Sequence, residues 1–383
     1  MRTLFSVLQN AVVWLSLLVL GGCVDEFDPQ VPETDRKFLV VDGFINSKGI
    51  TTIKLSYTFG LKSAAAPPVE TRAKLYIEAE GGTRYNLTEG VAGTYTTTPL
   101  TLDPAQKYRL HFTTAAGQEF ASDYTTVKTT PNIDALTWKQ EADGVQVYLS
   151  THDASKQSVY YRWVCDETWE FTSRWNSMLE YLNNQMVFRQ EQIFHCWRIE
   201  PNTAIRLGNT ARLSQDVVAE YPLLKLPISS GKLRIKYSVL VTQYAQTREE
   251  YEYWEMLRKN TESIGTLFDP LPSQVTGNVR CLSQPETTVL GYIGAYSATQ
   301  QRIFIGRDEL PREWIVPNVG YEECLFLDSV EVRNAASAFR TKKFLPVDGP
   351  MANSMGFQVY TGATAECVDC RLRGTNVRPA FWR

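Results

Sequence analysis

The sequence has little of what a metalloenzyme or a nucleic-acid-binding protein requires. Three histidines occur in 383 residues, His111, His152 and His195, too few and too scattered for a histidine-rich metal centre. Lys and Arg number 39 against 42 Asp and Glu, a net charge of −3, so no basic excess is available to grip a phosphate backbone. HExxH, a Walker loop and a GxGxxG following a strand are all missing. Ser354, in ANSMG (352–356), comes near a GxSxG nucleophile elbow. All three histidines precede it, whereas the histidine of such hydrolases follows the serine, so Ser354 reads as a loop serine. The neighbouring acids Asp166 and Glu167, or Glu322 and Glu323, form no glycosidase pair, because adjacent side chains point apart. Nothing here makes a catalytic constellation.

What is present points to an exported globular chain. It is 43% hydrophobic and 21% charged, long enough for two or three domains with cores of their own. Arg2 is followed by an apolar run, Val12 to Leu20, shorter than the roughly 20 residues that span a bilayer. Small residues and Cys23 come after it, the pattern of a signal peptide over 1–22. The string LGGC (20–23) resembles the bacterial lipobox, which implies that Cys23 is lipidated and becomes the first mature residue. Two or three acyl chains, at about 0.8 kcal/mol per buried methylene, would hold the chain on a membrane. The acidic stretch VDEFD (24–28) resembles the surface-export signal of Bacteroidota lipoproteins, and residues 23–36 read as a lipidated tether.

Beyond the tether, period-2 alternation begins at Ile53-Leu55-Tyr57, Ala73-Leu75-Ile77-Ala79 and Tyr108-Leu110-Phe112. It predicts an N-terminal β-sandwich over 37–128, immunoglobulin-like or carboxypeptidase-regulatory-like. Thr129 to Asn132 would link it to a second, fibronectin-III-like β domain over 129–246, with strands at Val145-Val147-Leu149, Val159 to Cys165 and Leu233 to Val239. Trp175, Met178, Leu179, Leu182 and Met186 follow helical spacing, which predicts a helical insertion whose stripe packs into a core. Thr247 and Glu250 form a capping-box pattern opening a helix with Tyr251, Trp254, Leu257 and Ile264 inward, ended near Gly265 and DPLP (269–272). A hairpin over Val289 to Tyr296 and Arg302 to Ile305 and a turn-rich, Cys-rich tail complete a third region, 247–383. The fold class expected is mainly β.

Six cysteines remain after Cys23: Cys165, Cys196, Cys281, Cys324, Cys367 and Cys370. In an oxidising compartment they suggest three disulfides. Cys165 and Cys196 flank the insertion and are expected to pair. Cys367 and Cys370 are too close to pair with each other, so each is expected to reach Cys281 or Cys324, in an order left open. The CxxC spacing also admits zinc, with Cys281 and Cys324 as further ligands, or redox chemistry, though no thioredoxin-like unit surrounds it. Structural disulfides are the preferred reading, with no cofactor and no metal. Trp163, Trp169, Trp175 and Trp197 gather around Cys165 and Cys196; exposed they would offer a sugar or peptide platform, but most are expected in cores.

YEYWEMLRKN (251–260), GTLFDPLPSQVTGNVRC (265–281), VLGYIGAYS (289–297) and ECVDCRLRGTNVRPAFW (366–382), together with the lipobox, resemble the Bacteroidota outer-membrane lipoproteins grouped as domain of unknown function 4249. The genes of that family commonly stand beside TonB-dependent receptors. The resemblance therefore implies a non-enzymatic accessory or ligand-capture protein of such a transporter, lipid-anchored on the outer membrane and exposed at the surface. A structural or adhesive lipoprotein is the alternative, and a hydrolase with an unrecognised site the third. An unknown small ligand or peptide is compatible with the first.

Overall fold

The computed structural model describes residues 37–60, 66–262 and 276–383. The expected signal peptide and tether, Cys23 included, lie outside the described residues, as do Ile264, Gly265 and the 269–272 stretch.

The alternating segments form strands as expected, and Ile53, Leu55, Ile77, Leu110 and Phe112 are fully enclosed in one core. Their arrangement is not a plain sandwich, however. Thr125–Lys128, Ala295–Tyr296, Leu39–Asn46, Thr52–Tyr57, Thr94–Thr96, Arg84–Glu89, Lys74–Ala79 and Lys107–Thr113 succeed one another around a ring. Lys107–Thr113 then pairs back onto Thr125–Lys128, closing an eight-stranded barrel. Closure removes the exposed edges that an open sheet of these strands would present. The closing strand could not be expected locally: Ala295–Tyr296 wedges parallel between Leu39–Asn46 and Thr125–Lys128, and Thr130 meets Ser297 across 167 residues.

The second β domain is a two-sheet antiparallel sandwich. Ile133–Glu141, Gly144–His152 and Val217–Pro227 form one sheet; His195–Asn209, Tyr160–Thr172, Lys236–Ala245 and Ala298–Gly306 form the other. Val145, Val147 and Leu149 face Tyr161, Trp163, Val239 and Val241 between them. Polar groups inside are paired: Trp163 Nε1 donates to Gln243 Oε1 (2.8 Å), whose Nε2 donates to Pro131 O and Thr151 Oγ1 (both 3.0 Å).

Three expectations need correction. The insertion is a β-hairpin, Leu179–Leu182 with Gln185–Phe188, not a helix. Asn183 and Asn184 both take positive φ (50° and 63°), the two-residue turn that matches strand twist, and this outweighs the helical spacing. Val289 to Tyr296 and Arg302 to Ile305 are not arms of a hairpin: Val289–Leu290 and Ala295–Tyr296 run parallel to Leu39–Asn46, and Ala298–Gly306 pairs with Lys236–Ala245. Residues 247–383 are not one region either. After helix Arg248–Glu262 the chain adds Val279–Cys281 and Ala295–Tyr296 to the barrel sheet, then Ala298–Gly306 to the sandwich. The two β domains are thus threaded through each other. After Gly306, Leu310 and Val316 still pack into the sandwich core, and the chain beyond them forms a third lobe, where Asp328–Glu331, Gln358–Thr364 and Phe344–Ala352 make a small sheet. Val347, Ala363 and Val368 form its core together with Ile193 from the sandwich's insertion, with Trp175 packed against it.

Candidate functional site

A buried glutamate and a half-buried arginine meet where barrel, sandwich and helix join. Strand Tyr160–Thr172 contributes Arg162, strand Lys236–Ala245 Tyr244, strand Ala295–Tyr296 Tyr296, and the helix Glu250 and Trp254. Thr247 Oγ1 accepts the Glu250 N–H (3.2 Å), so the helix is capped. The Glu250 side chain does not complete the box by reaching back, as expected, but turns inward to 1% exposure. There its Oε1 accepts from Gln246 Nε2 (2.9 Å), Tyr296 OH (3.1 Å) and Trp254 Nε1 (3.4 Å). Its Oε2 has no partner and lies against Gly294, where any Cβ would collide with it. The Arg162 guanidinium stacks 4.3 Å from the Trp254 ring and 4.8 Å from Tyr244. Burial pushes the Glu250 carboxyl up to about 7, against the pull of Arg162 and the three donors. Glu250 and Tyr296 are buried while Arg162, Tyr244 and Trp254 are half-buried, and together they tie three strands to the helix.

The disulfides organise the third lobe. Cys196 bridges Cys370, with Cα atoms 5.8 Å apart, and Cys324 bridges Cys367 at 5.6 Å. Cys165 does not pair with Cys196. In the strand register Cys165 sits opposite Asn202 and Cys196 opposite Phe171, six residues away, roughly 20 Å along the strand. Cys165 is enclosed in the sandwich core, where burial pushes its thiol up to about 12. Cys281 is also free, buried in the barrel core rather than bridged to the tail. Among the described residues no His, Cys, Asp and Glu cluster could hold a metal ion.

The 366–382 stretch is strapped down at several points. Asp369 accepts from the Arg371 side chain, which also reaches Glu191 (2.6 Å). Thr375 bridges to Trp197, and Trp382 packs edge-on against Phe304 and donates to Glu170 (3.2 Å). Between this tail and the sandwich edge runs an open groove of about 680 Å³.

The remaining sequence candidates are dispersed. His111 pairs with Glu119 (2.9 Å), His152 with Asp134 (2.7 Å) and His195 with Glu170 (2.5 Å), in three separate places. Ser354 is exposed in the turn between Phe344–Ala352 and Gln358–Thr364. Glu167 points into the sandwich, bound by Lys232 (2.9 Å), Tyr237 (2.8 Å) and Asn202 (2.7 Å), while Asp166 points to the other face. Glu322 is exposed and accepts the Gly320 N–H (2.9 Å). Trp163 and Trp197 are buried, and Trp169 lies under Lys232 (4.7 Å). These tryptophans form no open platform. Sequence reasoning missed Arg162 altogether, and read Glu250 only as a cap; a glutamate beside Tyr251, Tyr253 and Trp254 was the one signal present.

Residues 24–302 match the family described as Domain of unknown function (DUF4249). The chain belongs to that family. The match ends within strand Ala298–Gly306, so the third lobe and the 366–382 string lie beyond the matched DUF4249 residues. No curated protein matches the chain. Solved structures similar to it include a two-fibronectin-type-III segment of chicken tenascin, at 10% identity and TM-score 0.17 over 54% of this chain and 91% of that one. Another combines manganese lipoxygenase of Gaeumannomyces graminis with partial zonadhesin of Komagataella pastoris, at 8% identity and TM-score 0.13, covering 55% and 89%. The fold rests on the strand order, not on these likenesses.

Proposed function

We propose that this DUF4249 chain is a Bacteroidota lipoprotein, anchored through Cys23 on the outer membrane and exposed at the surface. Its role is that of a non-enzymatic accessory or ligand-capture subunit of a TonB-dependent transporter. The observation that carries the reading is the surface of the third lobe and of the hairpin beside it. Phe188, Phe326 and Met355 are 74%, 83% and 75% exposed there, alongside Met178, Leu325 and Phe357. Large apolar side chains so exposed along this lobe and hairpin support a protein contact, since they lose water only when a partner covers them. The disulfides give that lobe the rigidity to present them without a large core of its own.

Affinity purification from gently solubilised outer membranes tests the partnership. Wild-type chain should bring down a large β-barrel receptor, and its repeated absence would favour the adhesive reading. Palmitate labelling tests the anchor: label should enter wild type and not Cys23→Ala, and unlabelled wild type in the soluble periplasm would overturn it.

A further inference from the structure

The sandwich has one side where its two sheets do not close over their contents. Ile133–Glu141 ends the three-stranded sheet and Ala298–Gly306 ends the four-stranded one. The groove of about 680 Å³ runs along both, lined by Leu136 and Trp138 from the first strand, Arg302, Ile303 and Phe304 from the second, and Phe381 from the tail. Trp138 and Ile303 pack against the sandwich core yet reach this groove. Ile303 turns its carbonyl inward, accepting from Ser238 Oγ (2.9 Å). By strand alternation the main-chain N–H and C=O of Arg302 and Phe304 therefore point to the unpaired side, with no register shift against Lys236–Ala245 to disturb them.

The charge of the groove is one-sided. Arg302 lines it, and no carboxylate side chain does. The Arg302 guanidinium stacks 3.6 Å from the Phe381 ring and donates to Ser238 Oγ (3.1 Å). It has no ion-pair partner among the described residues, and Asp166 acts on it only from two strands away. An arginine held flat on an aromatic ring is preorganised to take a carboxylate in its fork.

We infer that this groove binds an extended peptide segment of a partner by strand addition to Ala298–Gly306. The segment alternates apolar residues, laid over Trp138 and Ile303, with acidic residues that meet Arg302. Main-chain pairing supplies the attachment and the alternate side chains the selectivity. The inference uses none of Phe188, Phe326, Met355, Met178, Leu325 and Phe357 and holds whether or not a transporter is the partner.

The probes are blocked hexapeptides of alternating valine with glutamate or with lysine, titrated into the full mature chain. Tryptophan fluorescence reads binding and amide hydrogen exchange locates it. The glutamate peptide should bind saturably, protect the Arg302 and Phe304 amides, and bind at least about tenfold tighter than the lysine peptide. Placing proline at its centre should abolish binding, because a ladder hydrogen bond is lost. Arg302→Gln, which removes the charge while keeping a polar side chain on the strand, should weaken the glutamate peptide about tenfold and leave the lysine peptide unchanged. Arg302→Glu should reverse the preference. No saturable binding, equal binding of both peptides, or protection confined to other strands would each overturn the inference.

Discussion

Burial holds the Glu250 proton to about pH 7, whereas the unfolded carboxyl ionises near 4.5. Between those values the unfolded chain has released a proton that the folded chain keeps, so stability falls as pH rises. The contribution is complete below pH 4.5 and lost above about 7, at about 1.4 kcal/mol per unit, or roughly 3 kcal/mol in all. Glu250→Gln keeps an oxygen for the Gln246, Trp254 and Tyr296 donors but cannot ionise. Urea unfolding from pH 5 to 8 should show wild type losing stability relative to Glu250→Gln across that window. Parallel curves would contradict the assignment. A second expectation concerns the thiols. Cys165 and Cys281 are free and enclosed, and the high Cys165 value leaves almost no thiolate at neutral pH. Maleimide should therefore spare both in the native chain. After denaturation without reductant, it should modify those two alone from residue 24 onward, with peptide mapping as the readout.

The hairpin at Leu179–Phe188 shows how a turn overrides periodicity. Positive φ at both Asn183 and Asn184 is tolerated by asparagine and costs other L-residues about 1–2 kcal/mol each. Replacing both with alanine should destabilise the hairpin by about 2–4 kcal/mol, and faster amide exchange at Leu179 to Phe188 would report it. Cys370→Ser should release the tail from Cys196, removing a link across 174 residues that chain entropy values at up to about 5 kcal/mol. A two-step thermal transition with the barrel melting last is the expected signature. Most strands were legible because burial on one face forces alternation, as at Ile53-Leu55 or Tyr108-Leu110-Phe112. The hairpin was not, because Trp175, Met178, Leu179, Leu182 and Met186 fit helical spacing while the deciding information sat in two asparagines. Cysteine pairing was legible only in part: local geometry keeps Cys367 and Cys370 apart and Cys367 does reach Cys324, but Cys370 pairs with Cys196 instead of Cys281, and the distance between Cys165 and Cys196 depends on register.

Taken whole, the chain is two β domains threaded through each other, with a stapled lobe beyond. Mainly-β character could be read from composition and alternation, but closure of the barrel could not. The strand that closes it, Ala295–Tyr296, is two residues long and too short to carry a pattern. Threading makes a direct demand: Gly294 packs beneath Glu250, so Gly294→Val should loosen barrel and sandwich together, in one transition rather than two. The outward face of the third lobe and its neighbouring hairpin is where the functional account is most exposed to test. Photo-crosslinking amino acids placed at Phe326 and Phe188 in intact cells address it, with Val91, equally exposed on the barrel at 74%, as control. The account predicts a covalent adduct with a TonB-dependent β-barrel receptor from positions 326 and 188 and none from 91. Adducts from all three positions alike, or none with any outer-membrane receptor, would contradict it.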